Sequence, residues 1–292
     1  MDPAFRARLE RVYSEHPLNA DAVLDRVRAE RGTLEGISSR DLAESVRGGP
    51  TDQNHAGGAL AVRALAAAVG VQSGWDVLDI GTGLGGTPRL LADEFGCRCH
   101  GVELTATRYR DAIRLTHLVG LDERVTFSQG DFMSVGLPAG DFDLAIGQGA
   151  FMHFADLPAL LDRVAALVRP GGRLAIEDGV IQMSPSTPAD REALAELLRH
   201  WNGELQHRDD WPGLLKRAGF RFDELDDMTV IATHEFEQLL AAADARQLDG
   251  VSTAERRGWE LGLQLSRSGH LGSVRLLATR VVRSPEKFSA SR

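Results

Sequence analysis

The chain has 292 residues, 43% of them hydrophobic, and a formal net charge of -9. That length and apolar content support one large α/β domain with a helical extension or two modest domains, and an acidic balance with no block of Lys and Arg argues against nucleic acid or an anionic membrane as partner. The start, Met1-Asp2-Pro3-Ala4-Phe5-Arg6, lacks a basic stretch followed by an apolar run, and the longest apolar stretch, Ala59 to Val71, is broken by Arg63 and too short to span a bilayer, so a cytoplasmic protein with a small-molecule partner is expected.

From Asp2 to Arg47 the chain is charged and helix-favouring, with Leu9, Val12, Val23, Leu24 and Val27 at helical spacings. This predicts an N-terminal helical extension over 1–50, whose apolar stripes offer a surface for a homodimer, followed by the main domain over 51–292. Gly48-Gly49-Pro50 breaks the chain before a helix from Gly58 to Val69. Strands and helices then alternate. Trp75 to Ile80 reads as a strand, and Thr87-Pro88 as cap and first residue of a helix that Gly96 ends. Cys97 to Leu104 is a second strand, Thr105 a cap for a helix to Val119, and Arg124 to Gln129 and Phe142 to Ile146 are strands three and four. Asp156 opens a helix to Val168, Arg169-Pro170-Gly171-Gly172 turns the chain, and Arg173 to Glu177 is strand five. The pattern predicts a Rossmann-like, doubly wound parallel sheet. Beyond it, a Pro-containing loop and a helix near Ala189 to Trp201 make a lid over 182–207, a mostly helical cap fills 229–270, and Phe220 to Leu225 and Val274 to Val282 are the last strands.

The only cysteines, Cys97 and Cys99, fall on one face of a strand and read as buried thiols, and the nine histidines show no H-E-x-x-H pattern, so no metal site is expected.

Gly81-Thr82-Gly83-Leu84-Gly85-Gly86 matches G-x-G-x-x-G between a strand and a helix, which by itself suits a dinucleotide. Asp79 discriminates. A loop that offers amide hydrogens to a pyrophosphate is disturbed by a neighbouring carboxylate, whereas S-adenosylmethionine brings a sulfonium and an ammonium cation that Asp79 favours. Glu103 closes the second strand where an acidic side chain accepts hydrogen bonds from ribose hydroxyls. Gly130-Asp131-Phe132 follows strand three, where a carboxylate can accept from an adenine amino group and a ring can cover its face.

These residues resemble class I methyltransferases, and within them the group of glycine/sarcosine/dimethylglycine N-methyltransferases and tocopherol C-methyltransferases. The resemblance runs from about Gln53 to Asp178 and includes Gln53-Asn54-His55-Ala56-Gly57-Gly58, the Asp79 loop, Gly101-Val102-Glu103-Leu104-Thr105, Gln129-Gly130-Asp131-Phe132, Gln148-Gly149-Ala150-Phe151-Met152-His153 and Arg169-Pro170-Gly171-Gly172. It implies a seven-stranded, mostly parallel sheet with an antiparallel last strand, Gly81, Gly83 and Glu103 along the nucleoside and methionine portions of the donor and Asp131 and Phe132 at its adenine, with Gln53 and His55 closing over it; Thr82, Leu104 and Gln148 complete the expected donor site, Gln148 at a strand end that also points to the acceptor. Glu103 replaces the group's more usual Asp, and everything after Asp178 matches poorly.

Methyl transfer from a sulfonium is an in-line displacement, so the protein mainly holds donor and acceptor together and excludes water. Beyond the carboxyl ends of the strands, His153, Glu177 and Asp178 are the expected catalytic groups: His153 as proton acceptor, the carboxylates as base or as partners of a cationic acceptor. Trp201 and Trp211 are the expected acceptor-binding rings. The segment Gly147-Gln148-Gly149-Ala150 lacks the N/D-P-P-Y/F pattern of enzymes that methylate base amino groups. The leading expectation is methylation of a nitrogen or electron-rich carbon of a small metabolite in specialised metabolism. C-methylation of an indole or phenol, an NAD-dependent oxidoreductase, and a non-catalytic donor-binding subunit are the alternatives.

Overall fold

The hydrophobic runs pair into a single sheet. The computed structural model of the protein describes residues 3–14, 16–245 and 251–281. Seven strands, β1 (Asp76–Ile80), β2 (Arg98–Glu103), β3 (Val125–Gln129), β4 (Phe142–Gln148), β5 (Val168–Ile181), β6 (Phe220–Asp227) and β7 (Leu271–Arg280), run in the order β3-β2-β1-β4-β5-β7-β6. Neighbours from β3 to β5 are parallel, and β7 is antiparallel to both β5 and β6. The seven-stranded, mostly parallel sheet with an antiparallel last strand is therefore the observed architecture.

Alternation along the strands splits the core in two. Leu78 and Ile80 of β1, Ala145 of β4 and Leu174 and Ile176 of β5 face one cluster with Leu160, Leu161 and Val164 of α7 (Leu157–Leu167) and Leu214 and Leu215 of α9 (Trp211–Arg217). Val77, Leu144, Ile146 and Ala175 face the other, under α4 (Gly58–Val69) and α5 (Gly86–Phe95). Cys97 and Cys99 are buried free thiols in this second cluster.

The N-terminal helices α1 (Pro3–Ser14), α2 (Ala20–Arg31) and α3 (Ser39–Ala43) pack on the domain itself. Val23, Leu24 and Val27 of α2 are buried with Leu84 and with Leu115 of α6 (Ala106–Leu118), so the stripe read as a dimer surface is covered within the chain. After β5, α8 (Pro188–Trp201), α10 (Thr229–Asp244) and α11 (Thr253–Arg267) form a helical layer around Leu197, Leu261 and Leu265. Residues 246–250 of the expected cap, and Val282 of the expected last strand, lie outside the described residues. No described helix is long and apolar enough to cross a membrane.

Three local expectations are corrected. Gly85, in the left-handed region at φ 76°, caps α5, which starts at Gly86. The Thr87 hydroxyl is instead drawn into a buried hydrogen bond to Gln148 Oε1 at 2.6 Å. Thr105 is the N-cap residue of α6, but its hydroxyl makes no capping bond, and its amide donates to Glu103. The stretch Arg169–Gly172 is not a separate turn but the irregular start of β5, where Val168 pairs with Phe142 and the register shifts before Leu144. At its other end β5 runs to Ile181 because β7 pairs with it as far as Leu271.

Candidate active site

The strand order reverses between β1 and β4, and a crevice opens beyond their carboxyl ends. All eleven expected donor-site residues, Gln53, His55, Asp79, Gly81, Thr82, Gly83, Glu103, Leu104, Asp131, Phe132 and Gln148, line this one cleft. The backbone explains the glycines. Gly81 has φ 73°, and a Cβ there would lie 2.8 Å from that of Ala150, so only glycine lets the loop cross the end of β4.

Asp79 ends β1 beneath this loop, and burial pushes its carboxyl up to about 7, with the nearby Glu103 adding to the rise. Glu103 ends β2, with one carboxylate oxygen 2.9 Å from the amide of Gly83 and the other 2.8 Å from that of Thr105; burial raises it as well. Asp131 accepts from the amide of Met133 at 2.9 Å, and Phe132 meets Phe154 edge-on with centroids 6.2 Å apart. The cleft thus gathers three acidic strand ends and an aromatic wall.

Arg108, in the first turn of α6, lines the same cleft. It is 4% exposed and its Nε and Nη2 have no hydrogen-bond partner. Among the described residues, a buried guanidinium that rests on the Tyr13 ring with two donor atoms unbonded, and a buried carboxylate with no cation beside it, both fit a ligand carrying cationic and hydrogen-bond-accepting groups. S-adenosylmethionine has both.

A buried polar chain forms the far wall. Arg275 of β7 donates from Nε to Glu177 Oε1 at 2.6 Å, Gln148 Nε2 donates to Glu177 Oε2 at 2.6 Å, and Gln148 Oε1 accepts from Thr87. Gln53 Oε1 lies 2.9 Å from His55 Nε2, and Gln53 Nε2 donates to Asp52 Oδ1 at 2.8 Å. Asp52 in turn pairs with Arg89 at 2.8 Å, both side chains essentially inaccessible. Burial lowers the pKa of His55 and keeps its ring neutral near pH 7.

Three expected roles change. Both carboxylate oxygens of Glu177 are taken by Arg275 and Gln148, and the residue stands behind the cleft wall, so it positions Gln148 and does not face an acceptor. Asp178, which burial moves to about 6, accepts from the amides of Met152 and Gly179 and so fixes the turn that carries His153. Trp211 is 2% exposed in the core with its ring centroid 6.5 Å from that of Phe151; its position at the start of α9 puts it in the sheet-facing cluster, and it lines neither the cleft nor the cavity next to it.

A second cavity of about 480 Å³ adjoins the cleft, sharing Tyr13, Asn54, Gly149 and His153 with it. Trp201 and Trp259 line this cavity, and Trp201 stacks on Phe236 at 6.4 Å. His153 sits at the boundary. Its Nδ1 lies 3.1 Å from the carbonyl oxygen of Asn202, which requires a proton on Nδ1, so Nε2 presents a lone pair that accepts from the Tyr13 hydroxyl at 2.8 Å. Burial, with Arg108 nearby, lowers the pKa of His153, while burial pushes Tyr13 up to about 12.

Tyr13, Arg108, Asp52, Arg89 and Arg275 were not read from sequence. For Arg89 and Arg275 a signal existed: each interrupts an apolar run, in Pro88-Arg89-Leu90-Leu91 and Val274-Arg275-Leu276-Leu277. Tyr13 left none, because a lone aromatic in an amphipathic helix looks like core.

The fold is that of S-adenosylmethionine-dependent methyltransferases. Residues 78–176 match the family described as "Methyltransferase domain", and that segment is such a domain. Among curated proteins the chain is similar to methyltransferase GfsG of Streptomyces halstedii, 29% identical over 159 residues that cover 54% of this chain and 57% of the relative. The chain spans about half the length of the curated relatives it matches. Among solved structures, geranyl diphosphate C-methyltransferase of Streptomyces coelicolor A3(2) superposes with a TM-score of 0.72 at 18% identity, over 96% of this chain and 99% of that one. Phosphoethanolamine N-methyltransferase 2 of Haemonchus contortus does so with a TM-score of 0.71 at 22% identity, over 88% and 60%. Both were crystallised with S-adenosylhomocysteine, the demethylated donor.

Proposed function

We propose that this protein transfers a methyl group from S-adenosylmethionine to a nitrogen or electron-rich carbon of a small molecule held in the second cavity. The observation that carries this reading is the junction of the two cavities at His153 and Tyr13, beside a cleft whose buried Asp79 has no cationic partner. When bound, the donor supplies an electrophilic methyl group on a positively charged sulphur. Asp79 offsets that ligand's positive charge, Glu103 accepts from the ribose hydroxyls, and Asp131 and Phe132 hold the adenine. Gln148, oriented by Glu177, and His55, oriented by Gln53, close the wall and keep water away from the reacting groups.

The proton of the acceptor leaves through Tyr13 and His153. The Tyr13 oxygen accepts it while the Tyr13 hydroxyl proton passes to His153 Nε2, and the Asn202 carbonyl stabilises the imidazolium through Nδ1–H. Because burial holds His153 neutral near pH 7, the acceptor lone pair is present when needed. Similarity to GfsG and to geranyl diphosphate C-methyltransferase supports a place in specialised metabolism.

Calorimetry with S-adenosylhomocysteine and with NADH tests the donor; binding of NADH alone would sink the reading. Transfer of label from methyl-labelled donor to amines and indoles tests the reaction, and product fragmentation separates N- from C-methylation.

A further inference from the structure

The second cavity has a one-sided balance of charge. Among the described residues that line it there is no Lys or Arg, and the one carboxylate is Glu255. Its walls are aromatic, from Tyr13 of α1, Trp201 of α8 and Trp259 of α11. Glu255 sits in the first turn of α11, where Oε2 accepts from the amide and the hydroxyl of Ser252 at 2.8 and 2.9 Å. Its Oε1 lies 3.9 Å from His16 Nε2. His16 Nδ1 accepts from the amide of Leu18, so Nε2 carries the hydrogen, and burial with Arg108 nearby pushes the ring down to about 4. At 3.9 Å His16 Nε2 makes no hydrogen bond to Glu255, and the neutral ring brings no positive charge to that carboxylate.

Resting on the methyl-transfer reading above, we infer that the acceptor is a cationic amine with an aromatic or apolar body and no phosphate or carboxylate group. Arg108, stacked over the Tyr13 ring, lines the donor cleft and not this cavity, so a negative acceptor would meet Glu255 with no cationic lining residue to hold it, at the cost of desolvating both charges. A protonated amine gains in two ways: the Glu255 carboxylate, and the rings of Trp201 and Trp259, which attract cations in a partly dry cavity, whereas the Tyr13 ring already carries the Arg108 guanidinium 4.5 Å from its centroid. The 480 Å³ volume suits an amine with a ring or short chain. The oxygen that takes the ammonium proton belongs to Tyr13, whose ring lines both cavities. This separates the chain from its structural relatives named for phosphoethanolamine and geranyl diphosphate, whose substrates carry phosphate.

The test is equilibrium binding to the full chain saturated with S-adenosylhomocysteine, using 2-phenylethylamine, 2-phenylethanol, phenylacetate and phosphoethanolamine as probes. Saturation by the donor product is measured first and by itself reports on the donor reading. The amine is expected to bind about tenfold tighter than the alcohol, and both anionic groups to weaken binding. Glu255→Gln should abolish the amine's advantage and leave the alcohol unchanged. Glutamine preserves the Ser252 capping box, so α11 stays folded. Trp259→Leu should weaken amine and alcohol alike. Tighter binding of phenylacetate or phosphoethanolamine, no binding of the amine, or an advantage that survives Glu255→Gln would each overturn the inference while leaving the donor reading intact.

Discussion

Tyr13 and His153, separated by 140 positions in the chain, meet in a hydrogen bond of 2.8 Å at the boundary between the donor cleft and the second cavity. The ring planes stand nearly perpendicular, at 89°, with centroids 5.7 Å apart. Helix α1 therefore contributes a group to the site as well as cover.

Tyr13→Phe removes the hydroxyl and keeps the ring. The expected outcome is a fall in kcat of about 10²-fold, the lower end for loss of a positioned proton acceptor, with donor affinity held within about twofold. His153→Ala should behave likewise. Because burial depresses the pKa of His153, the acid limb of kcat at saturating donor and acceptor should lie below the ordinary histidine value near 6.5. Single-turnover rates against pH measure it, and equal loss of donor binding in both variants would argue for a purely structural contact.

Donor binding should itself depend on pH through Asp79. Burial raises that carboxyl to about 7, so below that pH the free protein carries it protonated, and a cationic donor must displace the proton. Affinity should fall by up to about tenfold per unit as pH drops below 7. Calorimetry in buffers of different ionisation enthalpy should register proton release at pH 6, and Asp79→Asn should flatten the dependence and weaken the donor. The sign for stability is the reverse: with the folded value above the unfolded one, the donor-free fold loses Asp79's contribution as pH rises from about 4 to 7.

Glu177→Gln should act on stability before chemistry. It leaves Arg275 buried beside a neutral amide, and breaking a buried pair by changing one partner costs about 3–5 kcal/mol. Asp52→Asn should do the same to Arg89, which also donates to Thr116 and to the carbonyls of Ala112 and Leu84. Denaturant midpoints measure both; unchanged midpoints with a lowered kcat would return Glu177 to the list of reacting groups.

The two tryptophans should separate cleanly. Trp211→Ala leaves a hole in the sheet-facing core and should destabilise by about 3–5 kcal/mol, with acceptor KM unchanged in the folded fraction. Trp201→Ala should raise acceptor KM, since its ring lines the second cavity.

The glycine loop, the acidic ends of β1, β2 and β3 and the strand order up to β5 could be read along the chain because each is a local property. A glycine at φ 73° or a carboxylate at a strand end is set by its immediate neighbours, and the parallel α/β rhythm does the rest. The same reasoning failed for Glu177 and Trp211. Whether a strand-end carboxylate faces a ligand or an arginine depends on β7, which reaches β5 from 98 positions away, and a helix-start tryptophan looks alike whether it meets a cavity or a core.

By itself, then, the sequence determined the sheet and the class of ligand at its switch point, because periodicity and the charge at strand ends are written in consecutive residues. Only the tertiary structure decided which side chains line the second cavity. That choice rests on contacts such as Tyr13 with His153 and Arg275 with Glu177, formed between segments whose spacing along the chain carries no information about their meeting in space.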